Sequence, residues 1–125
     1  MRLVQSFEPE PGEVHAARHF VASTLADWGL ADGDVSLLVS EIATNAVLHA
    51  RSDFAITVIA ELGRIRIEVF DRNTRLPTMA GAGADAFSGR GLMLVQVLST
   101  SWGVEPHANR GKTVWFEVAP AEHAG

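Results

Sequence analysis

The spacing of the apolar residues changes abruptly after Arg51, and this change constrains the fold more than any other feature of the sequence. Over residues 35–50 the apolar positions recur at alternating steps of three and one, which places them on one face of a helix. Over residues 54–60 and 65–69, on either side of Gly63, every second residue is apolar, which is typical of an antiparallel hairpin with one buried face. The helix and the hairpin each need a partner surface, so together they favour a two-layer fold.

Start and stop signals place the other elements. Asp32 or Asp34 can cap the helix over residues 35–50, Pro11 and Gly29 bound an earlier helix, and Ser88 can cap a later one. The further predicted elements are a strand over residues 2–7, helices over 11–28 and 88–101, and strands over 102–106 and 112–118. We therefore expect an α+β fold, a two-layer sandwich with helices on one face of a mostly antiparallel sheet, formed by residues 1–125 as a single domain.

Residues 72–87 show no apolar periodicity and contain Pro77, Gly81 and Gly83. A stretch of this length without a regular pattern is more typical of a functional loop than of a plain connection. We expect this segment to be a lid over a binding site.

Composition excludes several classes of function. The chain of 125 residues has no cysteine, which excludes disulfide scaffolds, thiolate zinc sites and cysteine nucleophiles. Its formal net charge of −5 lacks the positive surplus of a protein that binds a phosphate backbone, so we expect no direct nucleic-acid partner. The aliphatic runs are far shorter than a membrane span, and we expect a cytoplasmic protein without a membrane anchor.

Glu41 and Asn45 lie four residues apart on the helix over residues 35–50, so they share one face, well off the apolar stripe. One interpretation is a solvated polar face without chemistry. The other is a carboxylate base beside an amide oxygen that can bind a hard cation such as Mg²⁺.

Two further features favour a site over a plain surface. Asp71 follows the alternation of Ile65 and Val69, so it points inward at a strand end and needs a partner, either a protein donor or a ligand amine. Residues 88–92 read SGRGL, a glycine-rich helix start whose free backbone amides can hold phosphates, although a plain helix cap would also explain Ser88. Together these features suggest a nucleotide site.

The sequence at these positions resembles a known family. Residues 41–50, EIATNAVLHA, are similar to the N box of the GHKL ATPases, which include gyrase, histidine kinases and MutL. Within that group the form with Asn, Ala, His and Ala resembles the anti-sigma factor serine/threonine kinases of bacteria. Asp71 stands where that family begins its first glycine box, residues 89–92 resemble the second glycine box, and residues 111–114 resemble the closing box.

The resemblance implies a Bergerat ATP-binding fold with ATP and Mg²⁺ as cofactors. It implies that Glu41 is the general base, that Asn45 binds Mg²⁺, and that Asp71 accepts a hydrogen bond from the adenine amino group. The other nucleotide-binding positions that it implies are His49, Arg75, Gly89, Arg90, Gly91, Leu92 and Thr113. It also implies a sigma factor and a STAS-domain anti-anti-sigma protein as partners, and it is compatible with a homodimer.

Two functions stay open at this point. Glu41 favours an ATP-dependent protein serine/threonine kinase, because a pure binding module has no need of a general base beside Asn45. The residues that follow Asp71 favour the alternative, a non-catalytic ATP-binding or nucleotide-free module that binds the sigma factor or the anti-anti-sigma protein. They read RNTR, with no glycine where the family places its first glycine box.

Overall fold

The computed structural model describes residues 1–73 and 89–120, which form a helical layer packed on a sheet. The elements are β1 Arg2–Phe7, α1 Gly12–Asp27, α2 Val35–Asn45, a π-helical turn Ala46–Ala50, β2 Phe54–Glu61, β3 Arg64–Asp71, α3 Gly89–Leu98, β4 Ser101–Pro106 and β5 Lys112–Val118. In this part of the chain the strands form one sheet in the order β1-β2-β3-β5-β4, with each neighbouring pair antiparallel. The predicted α+β two-layer sandwich is confirmed.

The core lies between the helices and the inner face of the sheet. Alternate residues of β2, β3 and β5 are buried there, as the period-two pattern predicts. Helix α1 contributes Ala17, Phe20, Val21 and Leu25, which share one face at helical spacing. Helix α2 contributes Leu38, Val39, Ile42 and Ala43. Each layer thus covers the apolar face of the other.

The helix predicted over residues 35–50 changes its geometry before it ends. After Asn45 the chain widens into the π-helical turn, where the backbone N–H of Arg51 donates to the carbonyl of Ala46 at 2.9 Å, and Arg51 itself has a positive φ of 53°. At the other end, the carboxylate of Asp32 accepts hydrogen bonds from the backbone N–H and the hydroxyl of Ser36. Of the two predicted caps, Asp32 is therefore the one whose side chain acts.

In the part of the chain that the structure describes, the outer face of the sheet carries an ion-pair network. Arg66 contacts Glu68 and Glu117 and stacks over the ring of Trp115, 4.1 Å from its centroid. The hydrogen bond from Arg66 lowers the pKa of Glu117. The contacts of Arg66 with Glu117 and Trp115 join β3 to β5, whereas its contact with Glu68 lies within β3.

Parts of the predicted loop and caps lie outside the described residues, namely residues 74–87 of the expected lid, the N-cap Ser88 and the site residue Arg75. Among the helices that are described, none is long and apolar enough to span a membrane.

Gly111 allows β5 to begin directly beside the end of β3. A Cβ atom at this position would lie 2.0 Å from the carbonyl oxygen of Asp71, and its φ of +138° is one that only glycine adopts readily. We expect Gly111→Ala to lower the free energy of unfolding by about 2 kcal/mol or more in urea denaturation, because strain and overlap add. Gly63→Ala is the control, since its φ of +73° is also strained but nothing lies within 4 Å. Equal losses in both variants would show that the close approach to Asp71 has no cost.

Candidate functional site

Asp71 ends β3 on the inner face of the sheet, and Lys112 faces it from the first position of β5. The ammonium Nζ of Lys112 donates to Oδ1 of Asp71 at 2.9 Å and to Oδ2 at 3.1 Å. The lysine is 1% exposed and the aspartate 4%, so both charges are buried together. The partner that the inward position of Asp71 demanded is therefore a cation of the protein itself.

Asn73 contacts both members of the pair through its backbone. Its backbone N–H donates to Oδ1 of Asp71 at 2.9 Å, and its carbonyl accepts from Nζ of Lys112 at 3.4 Å. These backbone groups add hydrogen bonds to both charges, which a buried ion pair needs in order to offset its desolvation. The chain after β3 is thus held close to the pair.

The carboxylate of Asp71 retains acceptor capacity in spite of this pairing. An ionised carboxylate offers about four lone-pair sites. Oδ1 accepts from Lys112 and Asn73, whereas Oδ2 accepts from Lys112. Oδ2 can therefore take one more hydrogen bond from a ligand amino group, so the residue fits the adenine contact that the resemblance implies.

The sequence interpretation did not predict the role of Lys112, although a signal was present. Lys112, Val114 and Phe116 occupy alternate positions of β5, and the parity of the two apolar residues places the lysine on the inner face. A lysine is almost never fully buried unless it is paired. Parity applied to Lys112 as well as to Asp71 would have placed both on the inner face and shown that Lys112 needs a buried partner.

Glu41 and Asn45 lie on α2, with Glu41 half-buried and Asn45 4% exposed. The prediction that both lie well off the apolar stripe is wrong for Asn45. The helix turns by about 40° over four residues, which moves Asn45 back to the edge of the buried face. The side chain of Asn45 thus lies at the edge of the buried face of α2. That of Glu41 lies further from the core and is more exposed to solvent.

Two other sequence features are described only through their backbone. His49 lies in the π-helical turn, a geometry frequent at functional sites, and residues 89–92 form the first turn of α3 as predicted. The side chains of His49, Arg90 and Leu92, and the surroundings of Gly89 and Gly91, lie outside what the structure describes. The backbone amides at the start of a helix suit phosphate oxygens, so α3 fits the proposed phosphate contact.

Thr113 lies on the opposite face of the sheet from Asp71. Its Oγ1 is 2.7 Å from Nε2 of His107, whose ring packs 5.7 Å from that of Phe70. Strand parity explains this, since Thr113 follows Lys112 and so points to the outer face. The structure brings Asp71 and Lys112 together and separates the Thr113 side chain from them. A nucleotide contact by Thr113 stays a prediction.

The described residues offer too few oxygen ligands to bind Mg²⁺ by themselves, so they fit Mg²⁺ only when a nucleotide supplies further oxygens. Within the described residues no group of three or more His, Asp or Glu side chains could hold a metal ion. Mg²⁺ commonly uses one or two protein oxygens together with phosphate oxygens and water. The amide oxygen of Asn45 matches that mode of binding.

A cavity of about 260 Å³ lies at the other end of β3, beside Ile65 and Leu98. Its acidic side chains are Asp32 and Asp34, and the carboxylate of Asp32 is already bonded to Ser36. The residues implied in nucleotide binding are not among its lining residues, so we do not assign the site there.

Comparison with known protein families gives a match over most of the chain. The model of the histidine kinase-like ATPase domain matches residues 7–118, which span every element of the fold except the start of β1. No curated protein matches the chain.

Proposed function

The chain belongs to the histidine kinase-like ATPase family, and we propose that it is an ATP-binding anti-sigma regulatory factor that phosphorylates a serine or threonine of a STAS-domain anti-anti-sigma protein. Family membership supports the ATP-binding, kinase-like part of this statement. The single observation that supports a nucleotide site at particular residues is the position of Asp71. Its carboxylate lies at the inner end of β3 with one acceptor site available on Oδ2.

The roles in the proposed reaction fall to three elements, with α2 supplying both the Mg²⁺ ligand and the base. Asp71 of β3 accepts from the adenine amino group, the first turn of α3 holds the phosphates through backbone amides, and Asn45 of α2 holds Mg²⁺. Bound Mg·ATP supplies the γ-phosphoryl group. Glu41 takes the proton of the attacking hydroxyl, while the oxygen of that hydroxyl bonds to phosphorus and the bond to the leaving ADP breaks.

A second function is favoured by the Asp71–Lys112 pair. Because Lys112 already compensates the charge of Asp71, this buried carboxylate has a counter-ion without any ligand. A module that binds a sigma factor or a STAS-domain protein without turnover, with or without ATP, would keep this arrangement. The two functions differ in whether phosphate is transferred.

Binding of ATP tests the part that both ATP-dependent functions share. We expect millimolar Mg·ATP to raise the melting temperature by several degrees, because a ligand at about 100 times its Kd stabilises the folded state by about 2.7 kcal/mol. Mg²⁺ with inorganic tripolyphosphate is the control, since it carries the charge without the base. A melting temperature that Mg·ATP leaves unchanged would contradict ATP binding and favour the nucleotide-free module.

A further inference from the structure

The cation beside Asp71 changes what this carboxylate can recognise. Lys112 contacts both of its oxygens, at 2.9 and 3.1 Å, and the pair is buried. We infer that Lys112 relaxes the base preference of the site, so that purine nucleoside triphosphates with a 6-oxo group bind alongside ATP. This inference rests on the proposed function, because it takes Asp71 as the residue that meets the base.

A carboxylate without a counter-ion would be strongly selective at this position. It accepts a charge-assisted hydrogen bond from a 6-amino group, and such bonds are about twice as strong as neutral ones. A 6-oxo group offers a lone pair in the same place, and two acceptors facing each other in a buried site repel each other. A lone aspartate would therefore favour adenine and reject hypoxanthine.

The ammonium of Lys112 weakens both effects. It compensates the charge of Asp71 at contact distance, so the hydrogen bond to an amino group gains less from that charge. The same positive charge offsets the repulsion between the carboxylate and a 6-oxo oxygen. The difference in binding between the two bases must then decrease.

Lys112 also gives the site a donor next to its acceptor. Its contact with the carbonyl of Asn73 is 3.4 Å long, longer than either of its contacts with Asp71, and a ligand oxygen can replace this contact at less cost than those two. The donor and acceptor suit adenine, whose 6-amino group donates beside the acceptor N1. They equally suit hypoxanthine, whose 6-oxo group accepts beside the donor N1–H. A pair of this kind recognises a purine edge without fixing which purine it is.

The test compares ATP with ITP, which replaces the 6-amino group by a 6-oxo group and moves a proton to N1. We expect isothermal titration to give the parent protein Kd values for Mg·ATP and Mg·ITP within about tenfold of each other. In Lys112→Met the ratio of the Kd for Mg·ITP to the Kd for Mg·ATP should increase by about tenfold or more. This is the change in affinity that a hydrogen bond to a charged group typically produces. A parent preference for ATP above tenfold, or an unchanged preference in Lys112→Met, overturns the inference.

Val114→Ala is the matched control, because it removes buried side-chain volume from the same strand and leaves the pair intact. Its preference should equal that of the parent, so a change there would attribute the effect to loosening of the fold. If Lys112→Met does not fold, the parent ratio alone decides. Binding of ATP with rejection of ITP overturns this inference and leaves the proposed function standing, whereas binding of neither nucleotide overturns both.

Discussion

Lys112→Met should lower the free energy of unfolding by about 3–5 kcal/mol, the cost of leaving one member of a buried ion pair without its partner. Methionine keeps most of the length of the side chain and removes the charge, so Asp71, which is 4% exposed in the parent, loses its counter-ion. Desolvation of that carboxylate is then no longer compensated. Urea denaturation of the ligand-free protein measures the loss directly.

Two further variants show that the loss comes from the pair. Asp71→Asn in the Lys112→Met background removes the uncompensated charge and keeps an acceptor for the N–H of Asn73, so this double variant should be more stable than Lys112→Met alone. Arg64→Met breaks the surface contact with Glu117, where the arginine side chain is 59% exposed, and should cost less than about 1 kcal/mol. A cost for Lys112→Met as small as that of Arg64→Met would mean that the buried pair contributes little.

The fold could be predicted from the sequence because it depends on periods that the sequence displays. The alternation of β2 and β3 fixed both the register of the hairpin and the inward direction of Asp71, since a shift by one residue would expose the whole apolar face. The helical spacing likewise predicted the face of α2 that is buried. In both cases many residues of one element indicate the same buried face, so the prediction does not depend on any single residue.

The details of the site depend on single residues, which is why they were harder to predict. The π-helical turn Ala46–Ala50 spans five residues, too few for their spacing to distinguish it from an α-helical turn. The contact between Asp71 and Lys112 joins residues that are 41 positions apart, and it follows only after β3 and β5 are known to be neighbours. Tertiary pairing thus decides what surrounds Asp71.

Replacement of Glu41 should separate catalysis from binding. If Glu41 takes the proton of the attacking hydroxyl, Glu41→Gln should slow phosphoryl transfer by about 10² to 10⁴, because the amide keeps the size of the side chain and loses the base. The Kd for Mg·ATP should stay nearly unchanged, since the base acts in the transition state and not on the bound nucleotide. Single-turnover transfer of labelled γ-phosphate to a STAS-domain protein gives the rate, and titration calorimetry gives the affinity.

Ser40→Ala supplies the control for Glu41→Gln. It alters the neighbouring residue of α2, where the hydroxyl donates to the carbonyl of Ser36 at 3.0 Å, and it should leave both transfer and affinity at the parent values. Transfer by Glu41→Gln as fast as by the parent would remove Glu41 from the role of base and the proposed mechanism with it. Tight ATP binding by the parent without transfer to any STAS-domain protein would instead establish the binding module, because the shared nucleotide site would then work without the chemistry assigned to Glu41.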